Sequence, residues 1–323
     1  MFQTQLTEKL GIEYPIIQAG MGGVAMAALV AAVSEAGGLG VIGAALMTPD
    51  ALRNEVRKVK DLTDKPFAVD LLLAQNWPGQ EKMIEVMFDE EVPVFASGLG
   101  SPAPYAEEMH NHGMTIMAVI GTVRHAHKVT EGGTDIVVAQ GTEGGGHTGR
   151  IATMALVPQV VDAVAPVPVV AAGGIADGRG LMAALSLGAC GVWVGTRFVA
   201  TREANSHDNY KRKIVEATEE GTQVTRCFTG KDCRVIKNRY LDQWEDRQGE
   251  IKPFPAQMMV DSAKMDAAIR WGDTNLGLMP AGQISGAIQE VKSAGEVVRE
   301  MMEEAEEVLK KLAEKHLELQ ATQ

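Results

Sequence analysis

The chain of 323 residues has only three cysteines, Cys190, Cys227 and Cys233, and no CxxC pair among them. That excludes a disulfide framework and a thiolate metal site, and it points to a reducing compartment. Aromatic residues make up 5%, so Ala and Val carry much of the packing. Basic residues are in deficit, with 30 Lys and Arg against 42 Asp and Glu and a formal net charge of −12. Such a field repels phosphate backbones and anionic lipid. Nucleic acid and membrane are therefore excluded as partners, and any bound phosphate has to be held by local backbone N–H groups. No apolar stretch reaches the ~18–20 residues of a membrane span. The opening stretch, MFQTQLTEKLGIEYPIIQAG, lacks a basic region followed by an apolar one, so no signal peptide is expected and the expected location is cytoplasmic. Also missing are metal-ligand spacing of His, Asp and Glu, a GxSxG elbow, and an early GxGxxG with an acid about 20 residues on.

Glycine is abundant at 35 residues, and hydrophobic residues make up 46%. Short apolar runs alternate regularly with helical patterns. Strands are predicted at Pro15–Ala19, Leu39–Ala44, Pro66–Leu73, Val92–Ser97, Thr115–Gly121, Asp135–Gly141, Val167–Gly173 and Cys190–Thr196. Helices are predicted at Ala25–Glu35, Pro49–Leu62, Gln80–Glu90, Pro104–His112, Val123–Glu131, Pro158–Val164 and Gly178–Leu187. Crossovers of this length require a parallel sheet, and eight strands close a (β/α)₈ TIM barrel. The barrel is expected over residues 1–204. A smaller, mostly helical lid subdomain is expected over 205–275, and 276–323 should return to the barrel and end in a helix with a charged, solvated face.

The segment DIVVAQGTEGGGHTG, residues 135–149, organises the chemistry. A buried strand runs into Gln140, then Glu143, three glycines including Gly145, and His147. Glycines let the backbone lie against a flat or phosphorylated ligand, and a histidine just beyond can exchange a proton near neutral pH. The bland alternative is a tight turn ending in a solvated histidine. In a barrel the active groups sit at the C-terminal strand ends, with a phosphate site after the last two strands. Those ends offer Gly173 and Gly174, then Gly195 and Thr196. The helix start at Asp177–Gly180 would add its dipole, and Arg179 or Arg197 could assist. Gly20 and Met21 close the first strand. Asp70 is a carboxylate in the apolar run FAVDLLL, where a charge must be paired, neutralised or functional.

These residues resemble a known family. YPIIQAGM near the start, AGGLG, LTDKPFAV, AQGTEGGGHTG, PVPVVAAGGIADGRG, GVWVGTRF and the late MPAGQISG occur in the order seen in the nitronate monooxygenases, formerly 2-nitropropane dioxygenases. Their relatives the FMN-dependent enoyl-ACP reductases share the pattern. The resemblance implies FMN as cofactor, with its ring near Gly20, Met21, Asp70, Gln140 and Gly145. It implies a phosphate held by Gly173, Gly174, Gly195 and Thr196, His147 as the catalytic residue, and Gln283 on the segment returning to the pocket. Its expected partners are a small-molecule nitronate and O₂, giving a carbonyl compound and nitrite. The alternative is NAD(P)H with an enoyl thioester or quinone, and a non-redox phosphosugar barrel is a third reading. A homodimer is allowed. Two positions depart from the pattern: Asp70 stands where such monooxygenases usually have Asn, and Val119 where some relatives have Lys.

Overall fold

The computed structural model of the chain describes residues 3–45, 47–73 and 79–321. Strands β1 (Ile16–Gln18), β2 (Gly40–Gly43), β3 (Phe67–Leu72), β4 (Val94–Leu99), β5 (Thr115–Ile120) and β6 (Ile136–Gln140) come first in the barrel. A two-residue strand, β7 (Gly146–His147), stands apart before β8 (Val169–Ala172) and β9 (Gly191–Val194) complete the set. The parallel order is β1-β9-β8-β6-β5-β4-β3-β2, and a parallel bridge between Ile17 and Leu39 joins its two ends. This is the expected (β/α)₈ barrel, and all eight predicted strands are present.

Alternation along each strand divides the core into two layers. Ala68, Ala96, Val138, Val170 and Ala172 belong to the cluster inside the barrel. Their neighbours Val137, Val169 and Ala171 belong to the layer between strands and helices. Helices Pro49–Leu62 and Val123–Glu131 have the predicted bounds, because Thr48 and Thr122 accept from the backbone N–H groups of Ala51 and His125. One prediction was short. The helix expected from Pro158 spans Thr153–Val164, because the carboxylate of Glu143 takes the Thr153 N–H at 3.0–3.1 Å and acts as a cap supplied from another loop. Pro158 then sits inside the helix, one turn on from the exposed Met154 and on the same face.

Residues 205–275 contain short helices and also β10 (Thr222–Thr225) and β11 (Cys233–Ile236), an antiparallel pair that the sequence reading did not contain. The other edge of β11 pairs with β7, placing His147 opposite Cys233. The segment thus holds the glycine loop that follows β6. The final helix, Ala294–Ala321, buries its first half against the barrel helices. Among the described residues no helix is long and apolar enough to cross a membrane.

Candidate active site at the mouth of the barrel

A cavity of about 280 Å³ opens at the C-terminal strand ends. Of the sequence-predicted residues, Gly20, Met21, Asp70, Gln140, Gly145, His147, Gly173, Gly174, Gly195 and Thr196 all line it. Gln283 does not. Its side chain is exposed and its N–H donates to the Glu143 carbonyl at 3.0 Å, while its neighbours Gly282 and Ile284 line the wall. Sequence reasoning missed the wall contributed by Tyr210, Thr229, Cys233, Met258, Met265 and Ile269. Only the β-branched pair Val235 and Ile236 just after Cys233 could have signalled that one of them lies on a strand.

His147 is oriented from both sides. Gln140 Nε2 donates to its carbonyl at 2.7 Å, and its ring Nε2 lies 3.0 Å from Thr229 Oγ1. The Thr229 hydroxyl donates to the Lys231 carbonyl at 3.1 Å, so it accepts from the imidazole. The ring proton is thereby assigned to Nε2, and Nδ1 keeps its lone pair. Phe254 meets the ring edge-on at 5.6 Å. Burial, assisted by the nearby Lys231 charge, lowers the imidazole to about 4. His147 is therefore a neutral base at pH 7.

Asp70 pairs in register with Gly43 on one side and Ala96 on the other. Its carboxyl needs glycine nearby, since a Cβ on Gly98 would fall 2.8 Å from Oδ1. Oδ1 is buried without a partner among the described residues. Burial raises the carboxyl to about 8, against the smaller opposing pull of the Gly98 backbone. Of the three options for a carboxylate in an apolar run, burial favours neutralisation.

The corner after β8 and β9 is made of backbone. Gly173 and Gly174 have φ of 95° and 74°. Among the described residues, no turn, loop or cap hydrogen bond uses the N–H groups of Gly173, Gly174 and Thr196. Thr196 Oγ1 accepts from the Gly282 N–H at 2.9 Å, which ties the returning segment to the same corner. The expected cationic help is absent. Arg179 pairs with Asp177 and Glu304, and Arg197 donates to the carbonyls of Ala200 and Glu290, both at 2.8 Å. The helix at Gly178–Ser186 does not contribute its end either. Its Gly178 and Gly180 N–H groups are already taken by Glu304 at 2.8 Å and Asp177 at 3.0 Å. An anion here would be held by amides alone, as the acidic composition requires.

This geometry can be set beside known proteins. The sequence profile of the nitronate monooxygenase family matches residues 3–82 and 77–304. The chain belongs to the nitronate monooxygenase family. A probable nitronate monooxygenase of Staphylococcus haemolyticus is 36% identical, over 87% of this chain and 91% of that protein. A Mycobacterium tuberculosis protein, (3aS,4S,5R,7aS)-5-hydroxy-7a-methyl-1-oxo-octahydro-1H-indene-4-carboxyl-CoA dehydrogenase, is 35% identical over 94% of this chain and 96% of its own. The solved structure of FabK from Thermotoga maritima superposes with a TM-score of 0.90 at 37% identity, covering 98% of this chain and all of that one. Members of the nitronate monooxygenase family are oxidoreductases, and so is this chain. The family and its FabK neighbour are flavoenzymes.

Proposed function

We propose that the protein is an FMN-dependent nitronate monooxygenase, oxidising alkyl nitronates with O₂ to carbonyl compounds and nitrite. In this reading residues 1–204 hold the flavin, 205–275 cover the substrate, and 276–323 return to the barrel. The carrying observation is the pairing, across one cavity, of a corner of unused amides with a single neutral imidazole. The residues present fit FMN. The amides of Gly173, Gly174 and Thr196 suit a phosphate dianion, and Gly20, Met21 and Gly145 offer a flat backbone surface. Asp70 adds a buried carboxyl oxygen that still lacks a partner. Bound there, FMN would supply the capacity to take electrons from the substrate and pass them to O₂.

The remaining chemistry belongs to the chain. His147 Nδ1 would take a proton from a neutral nitroalkane, with Thr229 holding the ring in the competent tautomer. Met258, Met265, Ile269 and Leu278 form an apolar wall that would shelter an alkyl group and exclude water. A neutral Asp70 would donate a hydrogen bond to a bound flavin without placing a negative charge beside it. The test is spectroscopic and kinetic. The purified protein should be yellow with absorbance near 450 nm, consume O₂ and release nitrite with propyl nitronate, and stay oxidised when mixed anaerobically with NADH or NADPH. Bleaching by either nucleotide alone, without nitrite from propyl nitronate, would instead support a reductase of an enoyl thioester or quinone. The similarity to a dehydrogenase acting on a CoA thioester favours that as the second reading.

A further inference from the structure

Beside the cavity, where helix Val123–Glu131 follows β5 at the C-terminal face of the barrel, stand cations that nitronate oxidation does not use. Helix Val123–Glu131 has Arg124 and His125 in its first turn and no acidic residue there. The helix dipole disfavours cations at that end, so the usual placement is reversed. Arg124 Nη2 lies 3.4 Å from His125 Nε2, and both side chains are exposed, as is Lys128 one turn on. Where β5 ends, Gly121 packs against Gly149, so close that a Cβ added to Gly121 would lie 3.5 Å from the Gly149 Cα. That contact brings Arg150 to the same edge. Arg150 is 90% exposed and meets Asp232 at 3.6 Å. The Thr148 N–H donates to the Asp232 carbonyl at 3.1 Å, fixing the turn that carries Lys231. Lys231 stands two residues beyond Thr229, whose hydroxyl takes the Lys231 N–H at 3.3 Å and meets the His147 ring at 3.0 Å, so the same turn reaches the cavity wall. Every charged group that shifts His125 is a cation, and Asp232 is the one carboxylate in these contacts. Like charges crowded together in a chain of net charge −12 are relieved when an anion bridges them.

We propose that Arg124, His125, Lys128, Arg150 and Lys231 form a phosphate-binding rim, where the phosphorylated end of a nucleotide handle docks while its reactive end enters the cavity beside His147. The inference rests on the active site lying at His147, and not on nitronates being the substrate. Two sources carry this chemistry, coenzyme A thioesters and NADPH, each with a diphosphate and a ribose phosphate.

The test is calorimetric titration of the holoenzyme with coenzyme A, 3′-dephospho-coenzyme A, NADPH and NADH, for the wild type and an R124E/K128E variant. Coenzyme A or NADPH should bind, weaken as salt is raised, and lose roughly tenfold or more in affinity in the variant, since charge-assisted phosphate contacts are lost. Omitting the ribose phosphate should weaken binding in the wild type and matter little in the variant. Preference for coenzyme A assigns the rim to an acyl carrier, and preference for NADPH assigns it to a reductant. Binding to neither, or equal binding by wild type and a variant of unchanged thermal midpoint, overturns the proposal. Absorbance near 450 nm reads the flavin assignment separately, so failure of one does not imply failure of the other.

Discussion

Asp70 and His147 line the same cavity, and burial moves both toward their neutral forms, the carboxyl up to about 8 and the imidazole down to about 4. The consequences for stability run in opposite directions. Asp70 favours the folded state fully below its unfolded value near 3.8, and that contribution is lost as pH rises through about 8. Asp70→Asn keeps the shape and removes the titration. Its thermal midpoint should exceed the wild type's at pH 8, and the gap should close toward pH 4. At about 1.4 kcal/mol per pH unit, the effect at pH 8 is on the order of a few kcal/mol. Parallel pH profiles for the two proteins would show that Asp70 ionises freely. His147, lowered from 6.5, instead costs stability as pH falls from 6.5 through about 4, and its base form persists at neutral pH. Replacing His147 with Gln should lower kcat/KM for a neutral nitroalkane by roughly 10²–10⁴ and cost far less with a preformed nitronate. Equal losses on both substrates would make His147 a binding group.

Among the elements, the barrel strands were readable because apolar runs bounded by Gly and Pro leave few alternatives. Their ends were readable because glycines and single polar residues interrupt those runs. Helix Thr153–Val164 was misjudged because Pro158 resembles a start, whereas the true cap, Glu143, lies on another loop. The segment over 205–275 resisted reading for a different reason. Its 3₁₀ turns have no periodicity and are held by Cys227, Phe228, Tyr240 and Trp244 packing together. Thr229 acquires its role only once the lid sheet brings it across 82 residues to His147. Gly173 tests the amide corner directly. At φ of 95°, an added Cβ would lie 2.9 Å from the Gly141 carbonyl and 3.1 Å from the Gly144 N–H. Gly173→Ala should destabilise by roughly 2–4 kcal/mol and co-purify with less flavin. Gly249→Ala, with nothing within 4 Å, should match the wild type in both measurements. Full flavin content in Gly173→Ala would remove the phosphate from this corner.

For the whole molecule, the issue is whether the last helix is part of the barrel or an appendage. Ala294, Val297, Val298, Met301, Met302 and Ala305 are buried in the same cluster as Val137, Val169 and Val192 of the strands. Gly178 allows this close approach, since a Cβ there would fall 2.8 Å from the Glu304 carbonyl carbon. Val308 still packs half-buried against that cluster, while the next apolar residues, Leu309 and Leu312, are 46% and 58% exposed. The two Val and two Met side chains are together worth roughly 6–12 kcal/mol of burial, comparable to the ~5–15 kcal/mol that holds a whole domain. A chain ending at residue 293 should therefore fail to give soluble, cooperatively unfolding protein. One ending at residue 312 keeps every buried contact named here, and keeps Glu304 on the Gly178 N–H. Its thermal midpoint should stay close to the wild type's, because residues 313–315 are exposed and even substitutions at such surface positions usually shift stability by no more than about 0.5 kcal/mol. If the shorter chain instead unfolds with the wild-type midpoint, residues 294–305 contribute nothing to the barrel's stability.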